Sequence, residues 1–492
     1  MKLQQTVYAL VRDLGRPADL KIDWVRIPGQ EEPQAAVIAL ESITDRNLLY
    51  TKLIDPIQNE WVSKASQNQG HSLPGTLSVN GRAVPLSSDA MAAALFEGEA
   101  LFLMHNRSEA IAVAMPNWNN RSVSEPERES TLIGPKDTFI EDLFVNISMI
   151  RRRIRDKALS VEEFIIGQSS KSKVMILSMR GLVNEKALEE FRQRLSAIRM
   201  DEVLDTTQIA YLVVDQKYTP FPMFQATERP DKAVSALMEG RFIVISDTTP
   251  TVLILPVTMT CLYETSDDYY FPSISGTFLR WVRLIGLAIT LFLPALYIAI
   301  TSINQDMFRI QFMLAVGASR EGVPYPVYVE VVIMLILIEL INEATVRLPK
   351  TIGGTATIVG GLIIGTAAAQ SHLISYIMIV ITATTAIGSY TAPNYMVGLA
   401  WRLCSFALVL LAIPWGLYGI VVGAGLIGMY LCSLESFGIP YTAPFSTFRY
   451  RDLFRDGLTR AAYRAFSAKP STYSPQAGGK QSGLDASKED QF

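Results

Sequence analysis

The sequence predicts two fold classes in one chain: an α/β soluble N-terminal part made of two similar subdomains, then an α-helical polytopic membrane domain. Three observations carry this. From Thr351 to Trp401 there is no Asp, Glu, Lys or Arg, and the run 352–370, IGGTATIVGGLIIGTAAAQ, is built largely from Gly, Ala and Thr. That run is long enough for about one bilayer crossing at ~1.5 Å rise per residue. Just ahead of it, residues 327–344 are apolar yet carry Glu330, Glu339, Asn342 and Glu343. Such side chains are costly in lipid, so they are expected to face protein, water or a partner. Before Tyr270 the chain reads as soluble, and an order of elements recurs within it.

At 492 residues there is room for about three folded units at ~150 residues each. A hydrophobic share of 49% against 18% charged is high for a soluble protein and is unevenly spread. The net charge of −3 hides a basic tail with Arg449, Arg451, Arg455, Arg460, Arg464 and Lys469. The opening MKLQQTVYALVRDLGRP has no apolar h-region, so no secretory signal peptide is expected and the N-terminal part should stay cytoplasmic. Cys261, Cys404 and Cys432 fit no metal or disulfide spacing.

The expected organisation is a first subdomain over 1–120, a connecting loop and helix over 121–159, and a second subdomain over 160–270. A transmembrane domain of four to six helices over 280–434 and a basic, partly disordered tail over 435–492 follow. The duplication rests on two pairs of segments. Residues 35–49, AAVIALESITDRNLL, run parallel to residues 173–188, KVMILSMRGLVNEKAL, each an apolar run, a turn with Asp45 or Asn184 as N-cap, and a helix. Residues 87–116 parallel 229–256: a helix ending at Glu-Gly, with Gly98 or Gly240 as C-cap, then two strands.

Between the copies, Phe139, Leu143, Ile147 and Ile150 fall at helical spacing and lead into Arg151, Arg152, Arg153 and Arg155. Without aromatic interleaving this cluster does not read as a nucleic-acid site; a solvated face or an interface with carboxylates is expected. Ser160–Glu163 fits a helix capping box. In TERPD, Glu228 and Asp231 flank Arg229 at a helix start, where acids are expected for folding reasons.

In the membrane part, the first span is expected over 284–303, interrupted by Pro294. On the acid-bearing helix Glu339, Glu343 and Arg347 share one face, with Glu343 able to pair with Arg347, and Glu330 points elsewhere. Two readings stay open: helix-to-helix hydrogen bonds, or the lining of a water path. Gly353, Gly354, Gly360, Gly361 and Gly365 permit close helix packing, and Thr355, Thr357 and Thr366 supply hydroxyls for a narrow ion path. A further span is expected over 372–390. The stretch 403–434 is too long for one crossing and too short for two, and Pro414 with Gly416 could kink or turn it. The basic tail is expected in the cytoplasm with the N-terminal part, which requires an even number of crossings.

No catalytic constellation emerges. His71, His105 and His372 are scattered, and no GxSxG, Walker or HExxH pattern is present. The reading is therefore not an enzyme, with no cofactor and no metal.

An ordered set of motifs runs through residues 20–455: RSVSEP (121–126), Gly134-Pro135, FIED (139–142), RRRI (151–154), TERPD (227–231), DYY (268–270), Arg280 to Arg283, SREGVP (319–324), RLPK (347–350) and IVGGLIIG (358–365). In this the chain resembles the A-subunit family of bacterial spore germination receptors, the GerA family. The resemblance implies an A subunit in the inner spore membrane. It would work with a transporter-like B subunit and a lipoprotein C subunit, oligomerising into a nutrient-gated ion channel. Two departures stand out: SINQDMF (302–308) lacks the His of the family's usual His-x-Glu-like stretch, and GTAA (365–368) replaces Gly-Gln-Ala-Ala. A sporulation-stage paralogue serving as accessory channel or scaffold, and a transporter component, are the competing readings.

Overall fold

In the computed structural model the described residues are 3–26, 33–56, 81–105, 107–117, 129, 131–307, 309–347, 366–446, 457–460 and 473. The chain divides into two compact units, 1–217 with 224–256 and 468–492, and 218–223 with 257–467.

The first unit is built twice from one plan. Its first copy runs α1 (Leu3–Leu14), β1 (Leu20–Val25), β2 (Ala35–Leu40), α2 (Arg46–Leu48, continued by a π-helical turn Leu49–Ile54), β3 (Gly81–Pro85), α3 (Ser88–Phe96), β4 (Glu99–Met104) and β5 (Glu109–Ala114). The second runs α4 (Leu143–Arg153), β6 (Leu159–Ile166), β7 (Ser172–Met179), α5 (Glu185–Ser196), α6 (Thr206–Val213), β8 (Gln225–Thr227), α7 (Pro230–Met238), β9 (Phe242–Ser246) and β10 (Val252–Leu255). Each copy has its own five-stranded sheet, ordered β1-β2-β4-β5-β3 and β6-β7-β9-β10-β8, with every pairing antiparallel. Equivalent strands thus occupy equivalent places, and the recurrence seen in sequence is a repeat of topology.

Why the apolar runs are continuous follows from the layers. Ala36, Ile38 and Leu40 of β2 face a core with Leu3, Val7 and Leu10 of α1 and with Met91 and Leu95 of α3. The intervening Ala35, Val37 and Ala39 face a second core with Leu49, Leu53 and Phe102. A strand buried on both sides loses the polar alternation of a half-exposed one. At 12 residues α1 is marginal as an isolated helix, so burial of its stripe rather than propensity holds it.

Local signals behave as the residues suggest. Asp45 accepts from the N–H groups of Asn47 and Leu48, and Asn184 from that of Lys186. Gly98 (φ 80°) and Gly240 (φ 91°) take the left-handed position that ends α3 and α7.

Two expectations need correction. Helix α4, expected as part of a connector, is the counterpart of α1: Leu143, Ile147 and Ile150 lie in the core of the second sheet with Val161, Leu177 and Leu237. Ser160–Glu163 does not cap a helix; it lies in β6, paired with Ser178–Met175 of β7. Cross-strand pairing of VEEFII outcompetes the local capping pattern there.

The arginine cluster ties the copies together. Arg151 donates through Nε and Nη2 to both carboxylate oxygens of Asp19, each at 2.7 Å, and Ser42 Oγ donates to Asp19 at 2.6 Å. Arg153 pairs with Asp137. Ala18 N–H bonds to the Val161 carbonyl, and Arg180 donates to the Leu14 carbonyl at 2.8 Å. Lys157 donates to Asp89 at 2.6 Å and holds that carboxyl below the usual carboxylate range. In TERPD, buried Arg229 pairs with Asp231 and reaches back to Thr131 Oγ1 and the Pro135 carbonyl, so the motif clamps the segment that enters the second copy.

The second unit is helical: α8 (Met259–Tyr263), α9 (Asp267–Tyr270), α10 (Ser273–Ile298, continued by the π-helical Ala299–Ile303), α11 (Ile310–Ser319), α12 (Val327–Arg347), α13 (Tyr376–Tyr390), α14 (Tyr395–Ser433), and a small hairpin of β11 (Glu435–Ser436) and β12 (Ile439–Pro440). Pro294 does not interrupt the first apolar helix, which starts well before residue 284. Among the described residues, 273–303 and 395–433 are long and apolar enough to cross a membrane.

The long helix α14 is two helices. Gly416 breaks it at φ 56°, ψ −132°, and Asn304 Oδ1 accepts the N–H of Leu417, capping the restart at 3.0 Å. Residues 15 apart in a straight helix would be about 22 Å apart. Here a Cβ on Gly423 would lie 2.6 Å from Leu408 Cδ2. Trp401 and Tyr430, one from each half, both pack on the Phe221 ring, at 5.2 and 6.3 Å between centroids. The halves therefore fold back as a hairpin.

Candidate functional site

The polar side chains of α12 are each met by a specific neighbour. Glu330, 1% exposed, accepts from the backbone N–H of Ser375 at 2.5 Å and from Ser375 Oγ at 2.6 Å. Ser375 is the N-cap of α13, so a carboxylate sits where helix N–H groups favour negative charge. Its other oxygen faces Arg320 Nε at 3.5 Å, and Arg320 also donates to the Tyr325 carbonyl. The SREGVP turn and Glu330 are thereby one cluster. The sequence singled out both without joining them, and it missed Ser375.

About two and a half turns along, Glu339 pairs with Arg402 of α14, Nε to Oε2 at 3.0 Å. Asn342 is buried and accepts from the Tyr390 hydroxyl. Glu343 and Arg347 pair with each other at i, i+4, Nε to Oε1 2.7 Å, and both are exposed. Such an exposed pair is worth about 0.3–0.5 kcal/mol, so it contributes little to stability. A small cavity lined by Thr290, Glu339, Thr385, Ser389, Arg402 and Ser405 lies beside the Glu339–Arg402 pair. Thr366 is exposed in the helical segment 366–370. Thr355, Thr357, Gly353, Gly354, Gly360, Gly361 and Gly365 lie outside the described residues.

A second polar centre was not anticipated. Asp268, fully buried, accepts from Arg280 Nε at 3.2 Å, from Arg283 and from Thr265 Oγ1 at 3.0 Å. The DYY motif and the two arginines ahead of the first span thus meet at one carboxylate. Arg460 binds the carbonyls of Tyr269 and Phe271, tying part of the basic tail to the same place. The only sequence signal was that these motifs recur in order in a family.

Glycines missed by sequence reading also matter. Gly286 of α10 and Gly388 of α13 form a helix crossing so close that a Cβ on Gly388 would lie 2.6 Å from the Gly286 carbonyl oxygen.

Residues 9–472 match the family model "Bacillus/Clostridium GerA spore germination protein". The chain belongs to the GerA family of spore germination proteins. It is 34% identical to "Spore germination protein KA" of Bacillus subtilis (strain 168), over 96% of this chain and 87% of that protein. It is 33% identical to "Spore germination protein GerLA" of Bacillus cereus, over 90% of each. It is also 35% identical to the "Uncharacterized membrane protein YfkQ" of B. subtilis, over 90% of this chain and 86% of that protein. A crystal structure titled as the N-terminal domain of the A subunit of the Bacillus megaterium spore germinant receptor GerK3 matches at 24% identity and TM-score 0.38, over 51% of this chain and 94% of that one. Within this GerA-family chain, the ion pairs that Glu330 and Glu339 make from α12 and the buried Asp268 centre are the polar clusters that stand out among the described residues.

Proposed function

We propose that this GerA-family protein is the A subunit of a spore germinant receptor, a multi-pass protein of the inner spore membrane that assembles with itself and with B and C subunits as a nutrient-gated ion channel. The observation that carries this reading is the apolar helix α12, which brings Glu330 and Glu339 to Arg320 and Arg402 inside a helical unit. Charges in apolar helices are costly and commonly mark substrate or ion pathways, which supports the reading. In this reading the small-residue run 352–370 supplies the wall, with Thr355, Thr357 and Thr366 as its hydroxyls, and Glu339, Asn342 and Glu343 together supply a cation-favouring mouth. In reconstituted complexes Gly361→Leu is expected to abolish nutrient-triggered cation release while leaving membrane content unchanged. Glu343→Gln is expected to change cation-over-anion selectivity. Wild-type release and selectivity in both variants would refute the channel reading.

The topology we propose has six crossings and both ends in the cytoplasm. Helix α10 runs from the Asp268 end to Asn304, and α14 returns on itself at Gly416 beside Asn304. Helices α12 and α13 run the other way, Glu330 meeting Ser375 at one end and Asn342 meeting Tyr390 at the other. Two neighbouring parallel segments require one return between them, and the sum is even, as the basic tail demands. In a cysteine-free background, Asp306→Cys should react with an impermeant thiol reagent from outside and Glu435→Cys should not. Equal labelling of both positions would sink this arrangement.

The accessory-paralogue reading keeps one specific point in its favour. Asn304, in the stretch where the family's usual His is missing, is occupied as the cap of Leu417. Loss of nutrient response on deletion favours the receptor; an unchanged response favours the paralogue.

A further inference from the structure

Residues 218–223 leave the N-terminal unit and return to it. The chain up to 217 and from 224 belongs to that unit, while the stretch between packs within the helical one. At its centre Phe221 is buried, with its ring 5.2 Å from that of Trp401 and 6.3 Å from those of Tyr430 and Tyr441. Trp401 stands 15 residues before the Gly416 break of α14 and Tyr430 stands 14 after it, so one ring packs on both arms of the hairpin at the same height. Roughly 22 Å of helix lies between that level and the turn. Asn304 holds the turn, and Phe221 sits at the open end.

We infer that this stretch is a strap through which the N-terminal unit sets the spacing of the two arms of α14. Its chemistry makes it stiff. Pro220 and Pro222 flank Phe221; each ring fixes its own φ and confines the residue before it to extended backbone. Thr219 Oγ1 also accepts the Phe221 N–H at 3.2 Å. Both ends of the strap are fastened inside the N-terminal unit. On one side Arg194 of α5 pairs with Asp215 at 2.5 Å and donates to the Val213 carbonyl at 2.7 Å. On the other, buried Phe224 packs edge-on against Tyr211 of α6 at 5.2 Å and leads directly into β8. A glycine-rich linker would absorb a displacement of these fastenings, whereas a Pro-Phe-Pro strap passes it on. With α5, α6 and β8 in place, Phe221 is held between the arms. Movement or unfolding of those elements withdraws it, and the arms part at their open end while the turn at Gly416 stays capped. This device does not depend on the channel reading.

The test places spin labels on Leu403→Cys and Met429→Cys, exposed positions on the two arms, in the full chain freed of its own cysteines. The distance between them is read by double electron–electron resonance in detergent samples frozen rapidly from a chosen temperature. Below the first melting transition a single narrow distribution is expected, and Phe221→Ala should lengthen and broaden it. Warming the unaltered strap just past that transition, which melts the N-terminal unit and leaves the helical unit folded, should produce the same long distribution. In Arg151→Ala, which touches neither the strap nor α14, the change should come at the correspondingly lower temperature. A distance that stays short after the N-terminal unit has melted would overturn the proposal and leave Phe221 as ordinary packing within the helical unit. An unchanged distance in Phe221→Ala would overturn it as well. Should Phe221→Ala fail to fold, the temperature comparison with Arg151→Ala decides alone. Should both units melt in one step, Phe221→Ala is expected to split that step in two, and a step left single overturns the strap.

Discussion

Arg151→Ala is expected to destabilise the N-terminal unit by about 3–5 kcal/mol, the cost of leaving Asp19 charged and unpaired where no water reaches it. The residues are 2% and 0% exposed, and the pair is bidentate with Ser42 as a third donor. At roughly 2–4 °C per kcal/mol for a unit of this size, the first melting transition of the full chain should fall by about 10 °C. Asp19→Ala should do the same. The double change Asp19→Leu with Arg151→Met should recover most of the loss, because an apolar pair carries no desolvation penalty. Because the pair joins the segment before β1 to α4, its loss should also raise hydrogen exchange at Ala18, whose N–H bonds to Val161 across the two copies. A shift of less than about 1 °C, or simple additivity in the double variant, would show that the copies are held together by something else.

How much of this was legible depends on the range of the interaction. Caps at Asp45, Asn184, Gly98 and Gly240 are decided by a few neighbouring residues, and the sequence showed them. The repeat was visible because a doubly buried strand such as β2 leaves a continuous apolar run. What stayed hidden is set by residues far apart in the chain. The partner of Arg151 lies 132 residues away and that of Arg402 lies 63 away, and nothing local marks either. Ser160–Glu163 went wrong because capping and strand patterns overlap over four residues, and only the pairing with β7 separates them. The break at Gly416 was readable as a possible turn, but the hairpin depends on Gly423 meeting Leu408. The Asp268 centre required three dimensions outright.

The same limit applies to glycine, where the second large effect lies. Gly388→Leu is expected to abolish the crossing of α10 and α13, whereas Gly425→Leu should be close to neutral. A Cβ at Gly388 would lie 2.6 Å from the Gly286 carbonyl oxygen and 2.8 Å from Thr290 Oγ1, while one at Gly425 meets nothing within 4 Å. The first obstacle is backbone, which cannot rotate away as a side chain can. Even Gly388→Ala must push the helices apart, at about 1–3 kcal/mol by the usual cost of overpacking, and Leu should cost more. From the other side, a Cβ on Gly286 would lie 2.3 Å from Thr391 Oγ1. Separating the helices would also strip Thr290 Oγ1 of its bond to the Thr385 carbonyl. It would open the cavity lined by Thr290 and Ser389. The measurement is the fraction of detergent-extracted full chain that stays monodisperse after a graded heat step. Gly388→Leu should lose most of it at temperatures where wild type and Gly425→Leu are intact. Equal survival of the two leucine variants would mean that α10 and α13 do not need to touch.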